Sequence, residues 1–181
     1  MNKDDIEILR LLGSPSTFKK GFERLVQVYS KPLYWKVRRI VLVHEDTDDV
    51  LQNTFLKIWS KLSQFQGKSN LSNWIYRIAI NEALDFLRHK KSAAGISTDE
   101  DQMVANRLLA DDYFDGGRAE ALLREAIALL PEVQRTVFNL RYYDNMKYSE
   151  MSQILNTSEG ALKASYHLAV QKITRFLKLN D

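Results

Sequence analysis

Apolar side chains recur three or four residues apart along most of this chain. From Phe18 to Val41 they fall at Phe18, Phe22, Leu25, Val26, Tyr29, Leu33, Val37, Ile40 and Val41. That period closes one face of an α-helix and gives a strand no consistent side. It returns at Leu51, Phe55, Ile58, Trp59 and Leu62, again from Leu71 to about Lys91, and again from Ala119 onward. Only 7 Gly and 3 Pro occur in 181 residues, too few for the turns of a β-sandwich or barrel. The expected fold is all-α.

Punctuation divides the pattern. Pro32 interrupts the first run, which reads as one kinked helix or two short ones. His44 to Asp49 is a helix start, with acidic residues at the positive end of the dipole and Asp46 or Thr47 as cap. Ser63 to Asn70, with Gly67 inside, reads as a loop. Pro131 suits the first turn of a helix running to Tyr142. From 93 to 118 the period fades, leaving at most a short helix around Met103 to Leu109. Charge follows the same division: +6 over 1–92, −4 over 93–118 and +1 over 119–181. The chain therefore reads as two small helical domains, 1–92 and 119–181, joined by a flexible acidic linker at 93–118. Fully extended, that linker reaches about 90 Å.

Several chemistries are excluded at once. With no Cys there are no disulfides, thiolate metal sites or Cys nucleophiles. The three His stand far apart at 44, 89 and 167, and no Gly-rich phosphate loop, metal-ligand spacing or nucleophile motif appears. The expectation is a non-enzyme with no catalytic residues, no metal and no cofactor. The longest apolar run, Ala126 to Leu130, is far short of the roughly 20 residues of a membrane span. The polar N-terminus shows no signal peptide. A cytoplasmic protein without membrane insertion is expected.

Three constellations carry function. Tyr148 to Ile173 reads as two helices around a three-residue turn, the shape of a helix-turn-helix (winged-helix-like) domain. Asn156 tolerates the left-handed backbone such a turn needs, and Thr157 or Ser158 can cap the second helix. Its outward face shows Ser158, Glu159, Lys163, His167 and Gln171, residues suited to phosphates and base edges in the major groove. On the helix from Leu71, Arg77, Asn81 and Arg88 share a polar face near Trp74 and Tyr76. Cations and aromatics together suit a single strand, whose phosphates and unstacked bases need both. The helix from Asp46 exposes an acidic turn with Gln52, Asn53 and Lys57, a candidate protein-docking face.

These segments resemble one family. Asp48-Asp49-Val50-Leu51-Gln52-Asn53-Thr54-Phe55-Leu56-Lys57-Ile58-Trp59 is similar to the second region of extracytoplasmic-function (ECF) sigma factors. Asn73-Trp74-Ile75-Tyr76-Arg77-Ile78-Ala79-Ile80-Asn81, with Asp85-Phe86-Leu87-Arg88, resembles that region's promoter-melting helix. Leu129 to Arg135, Tyr148 to Met151 and Ser158 to Lys163 resemble the fourth region. The resemblance implies a protein that binds the clamp and flap of bacterial RNA polymerase core and directs it to promoter DNA. Asp48, Asp49, Gln52, Asn53 and Phe55 would dock on the clamp of the largest subunit. Trp74, Tyr76, Arg77, Asn81 and Arg88 would capture the unpaired minus-ten strand. Ser158, Glu159, Lys163 and His167 would read the minus-thirty-five duplex. The two elements lie roughly 55 Å apart at 3.4 Å per step of B-form DNA, within the linker's reach. An anti-sigma factor is a further partner known in the family. Two departures stand out. Ser165, Leu168 and Val170 occupy positions where the family often carries Arg, and Ile75 follows Trp74 where primary sigma factors pair two Trp. The competing expectation is a stand-alone helix-turn-helix regulator, which would bind duplex without polymerase, usually as a dimer.

Overall fold

The computed structural model describes residues 3–67, 69–94 and 117–180. Among them eight α-helices and one short 3-10 turn occur, and no strand. The helices are α1 (Lys3–Leu12), α2 (Phe18–Val41), α3 (His44–Lys61), α4 (Leu71–Ala94), α5 (Arg118–Ala128), α6 (Glu132–Tyr142), α7 (Tyr148–Leu155) and α8 (Glu159–Asn180). The described residues fall into two units. One runs to Arg38 and resumes from His44 to Leu87; the other takes Arg39–Val43 and the chain from Arg88 on. Most of the sequence-predicted linker, including Met103 to Leu109, lies outside the described residues.

In the first unit α2 runs as one helix through Pro32. Leu25, Tyr29, Leu33 and Val37 bury its inner stripe at helical spacing. Leu71, Ile75, Ile78, Ala79 and Ala83 do the same for α4. The chain leaves α2 through Leu42, whose φ of 73° is left-handed and ends the helix before α3. Because α3 begins at His44, Asp46 and Thr47 stand inside its first turns and not at the cap. The buried stripe of α3 also differs from the expected one: it is Thr47, Val50, Thr54 and Ile58. Burying Thr54 is inexpensive, because its hydroxyl donates to the Val50 carbonyl one turn back at 2.7 Å.

α1 is anchored by Ile8, which is fully buried, and by polar contacts with α2. Asp5, only 1% exposed, accepts a hydrogen bond from the Tyr29 hydroxyl. Arg24 pairs with Asp4 at 2.8 Å and Glu7 at 3.4 Å. Thr17 Oγ1 donates to the Leu11 carbonyl at 2.6 Å. Gly21 lets the helices approach: a Cβ there would stand 2.9 Å from the Leu12 backbone nitrogen.

The second unit packs α5, α6 and α8 around Ala126, Ile127, Leu130, Phe138, Ala169 and Ile173. Phe138 stacks on Tyr166 with ring centroids 5.7 Å apart. Buried Arg135 sends one guanidinium nitrogen to the carbonyls of Ala128 and Leu130, each at 3.2 Å, so that the end of α5 is satisfied. Pro131 sits one position before α6 as its cap residue. With no strand present among the described residues, the helix-turn-helix carries no β wing.

Candidate nucleic-acid and polymerase interfaces

The α7–α8 turn is built locally. Asn156 takes the left-handed conformation at φ 49°, and its N–H bonds the Ser152 carbonyl. Thr157 N–H also reaches Ser152 O, at 3.3 Å. Ser158 caps α8: its hydroxyl accepts from Ala161 N–H at 3.3 Å. Met151, Ile154 and Leu162 close the seam between the two helices. Glu159, Lys163, His167 and Gln171 then share the exposed face of α8, each one turn from the last. The Lys163 ammonium lies 5.7 Å from the centre of the Tyr148 ring. His167 Nε2 and Gln171 Nε2 are 3.0 Å apart. Leu168 and Val170, standing where the family often has Arg, are exposed, and Ser165 is half-buried.

The site in the first unit is assembled from several elements. An open groove is lined by Lys57 and Lys61 of α3, Gln64 of the 3-10 turn, and Trp74, Arg77, Ile78, Asn81 and Glu82 of α4. Phe65 holds the Trp74 ring from the loop side, with centroids 5.3 Å apart. Lys57 and Glu82 form an ion pair across the groove. Three cations, two amides and one aromatic face thus converge, a lining that matches the phosphates and exposed bases of a single strand.

This arrangement regroups the candidate residues. Trp74, Arg77 and Asn81 come together. Arg88 is exposed further along α4, beyond the groove. Tyr76 falls outside the groove: two residues from Trp74 on a helix, it faces the other way. Its ring meets Tyr29 at 6.0 Å and lies 4.5 Å from the Lys36 ammonium. Lys57 turns from the expected docking face into the groove. Lys61, Gln64 and Glu82 were missed because they join the site only when α3, the turn and α4 pack. The signal for Lys61 was present, one helical turn after Lys57.

On α3, Asp48, Asp49, Gln52 and Asn53 are exposed and Phe55 is half-buried. Leu56 lies among them, 62% exposed, on the same side as Asp48 and Gln52. Trp59 is 45% exposed, its ring packed edge-on against Phe18 and Phe22 at 5.3 and 4.7 Å. An exposed leucine ringed by acids and amides fits a partner surface.

Comparison with known proteins follows the same two segments. Residues 25–93 match the family model "Sigma-70 region 2", and residues 120–173 match "Sigma-70, region 4". Together they cover more than half of the chain. The chain belongs to the sigma-70 family, as an ECF-type sigma factor. It is 28% identical to the ECF RNA polymerase sigma factor SigW of Bacillus subtilis, over 88% of this chain and 92% of that one. It is 26% identical to the ECF RNA polymerase sigma-E factor of Haemophilus influenzae, over 86% of each chain. The fold is shared with the sigma factor RpoE of Bartonella quintana, solved in complex with the anti-sigma factor NepR: TM-score 0.68, 19% identity, 90% of this chain and 99% of that one. It is shared also with CnrH, solved with the cytosolic domain of CnrY: TM-score 0.68, 20% identity, 99% and 100% coverage. Among its described residues this sigma factor has no helix long and apolar enough to cross a membrane, and no group of three His, Cys, Asp or Glu side chains that could hold a metal.

Proposed function

We propose that this sigma factor binds bacterial RNA polymerase core in the cytoplasm, carries it to promoters of a dedicated regulon, and acts without catalysis of its own. The exposed stripe Asp48, Asp49, Gln52, Asn53 and Leu56 docks on the clamp of the largest subunit, with Phe55 beneath it. The groove takes the unpaired minus-ten strand: a base stacks on Trp74, Asn81 meets its edge, and Lys57, Lys61 and Arg77 meet phosphates. Arg88 extends the phosphate track. On the second unit, Ser158 sets the start of α8, while Glu159, Lys163 and His167 read the minus-thirty-five duplex and the flap holds that unit on the enzyme. Exposed Leu168 and Val170 supply no phosphate contact, so duplex binding without polymerase is weak. An anti-sigma factor is a further partner, by likeness to the solved complex of RpoE with NepR.

The observation that carries this reading is the convergence of Trp74, Asn81 and three cations in one open groove. The test is in vitro transcription from a pool of promoter fragments, with core polymerase, with and without this protein. Discrete transcripts that require the protein support the reading. Specific duplex binding by the protein alone, without such transcripts, would support the stand-alone regulator instead.

A further inference from the structure

The groove contains one group that a phosphate-binding surface would be expected to exclude. Glu82 lies in its wall with its side chain only 17% exposed, beside Asn81 and on the Trp74 side of α4. A carboxylate there repels a polyanion unless it is neutralised or has a task. Lys57 neutralises it: the ammonium meets Oε1 across the groove. Among the described residues Oε2 has no hydrogen-bond partner, and it is the remaining acceptor.

From this we infer that Glu82 is a specificity residue for the base held in the groove, selecting adenine or cytosine through the N6 or N4 amino group. The inference rests on the proposed minus-ten role of the groove. An ionised carboxylate only accepts hydrogen bonds. The N6 and N4 amino groups of adenine and cytosine donate at the edge where guanine and thymine present a carbonyl oxygen. Asn81 and Gln64 can donate or accept, so their amides adapt to any base. Glu82 cannot adapt, and therefore discriminates. Thymine placed against it faces carboxylate with carbonyl and leaves a desolvated acceptor unpaired, the kind of mismatch that polar sites reject most strongly. The ion pair with Lys57 through Oε1 offsets the carboxylate's repulsion of the strand and leaves Oε2 as the acceptor for the base.

The test uses holoenzyme reconstituted from core and this protein, on premelted promoter templates carrying each of the four bases at every minus-ten position. Wild type should favour adenine or cytosine over thymine by about tenfold at one position. Glu82→Gln, whose amide can also donate, should bring that ratio to within about twofold and leave the other positions unchanged. Lys57→Met provides the control for a purely structural pair: it should lower transcription on all templates but keep the base preference. Circular dichroism and core binding verify that both variants are folded. Equal changes in Glu82→Gln and Lys57→Met, or an unaltered preference in Glu82→Gln, would overturn the inference alone. No core-dependent transcript from wild type would overturn it together with the proposed role of the groove.

Discussion

The two faces proposed to meet nucleic acid in this sigma factor are built in opposite ways. In the second unit, one turn and one helix make the whole face: Asn156 reverses the chain, Ser158 caps α8, and Glu159, Lys163 and His167 follow at helical spacing. In the first unit, α3, the 3-10 turn and α4 must pack before Lys57, Lys61, Gln64, Trp74, Arg77 and Asn81 face one groove. A helix in the major groove reads an intact duplex, so a rigid local stripe suffices. A melted base has to be surrounded, which requires groups from several directions. Local construction suits duplex, and tertiary construction suits the single strand.

The largest expected effect tests the groove. Trp74→Ala combined with Asn81→Ala should lower open-complex formation about 100-fold, from lost stacking and a lost edge contact, while core binding by gel filtration stays intact. Open complexes at wild-type levels, read by permanganate footprinting, would remove the groove from melting. Next comes the docking stripe. Leu56→Asp should weaken core binding about 30-fold, as expected for an exposed apolar anchor turned into a charge. Unchanged affinity in a fluorescence titration would place the clamp contact elsewhere.

In the second unit, Asn156→Val forces a β-branched residue to a positive φ, costing about 1–2 kcal/mol. Its thermal transition should fall, and minus-thirty-five duplex affinity with it, while Asn156→Gly keeps both. Equal melting temperatures for the Val and Gly variants would contradict the turn assignment. Lys163→Ala should reduce duplex affinity about fivefold and shallow the salt dependence by about one ion. A steady slope across salt concentrations would exclude Lys163 from phosphate contact. The smallest effect concerns Tyr76. Tyr76→Phe keeps the ring that Tyr29 and Lys36 contact, so melting should stay within about twofold of wild type. A tenfold loss would return Tyr76 to the strand-binding set.

The same difference explains what could be read before the fold was known. The helix-turn-helix was legible because its determinants lie within a few residues: the Asn at the left-handed position, the Ser cap, the four-residue spacing. Most helices were legible from their apolar period. α3 was only partly so, because buried Thr47 and Thr54 carry hydroxyls and exposed Leu56 does not, which moves the true stripe away from the apolar pattern. α1 is held by fully buried Ile8, a short apolar signal in a ten-residue helix, and by a carboxylate–phenol hydrogen bond and an Arg pair that no apolar period encodes. The groove was half legible. Trp74, Arg77 and Asn81 share a face of one helix, but Tyr76, close to them in sequence, stands on another, against Tyr29 and Lys36, because helix geometry separates residues two apart. Lys57, Lys61, Gln64 and Glu82 arrive from tertiary packing that no spacing on α4 encodes.

The division of labour can be measured directly. Holoenzyme would be titrated with two separate ligands taken from one active promoter: the single-stranded minus-ten segment and the minus-thirty-five duplex. The Trp74→Ala, Asn81→Ala double variant should lose the strand and keep the duplex, and Lys163→Ala should weaken the duplex about fivefold and keep the strand. If both proteins lose both ligands alike, the two faces do not act separately, and the account is wrong at its centre.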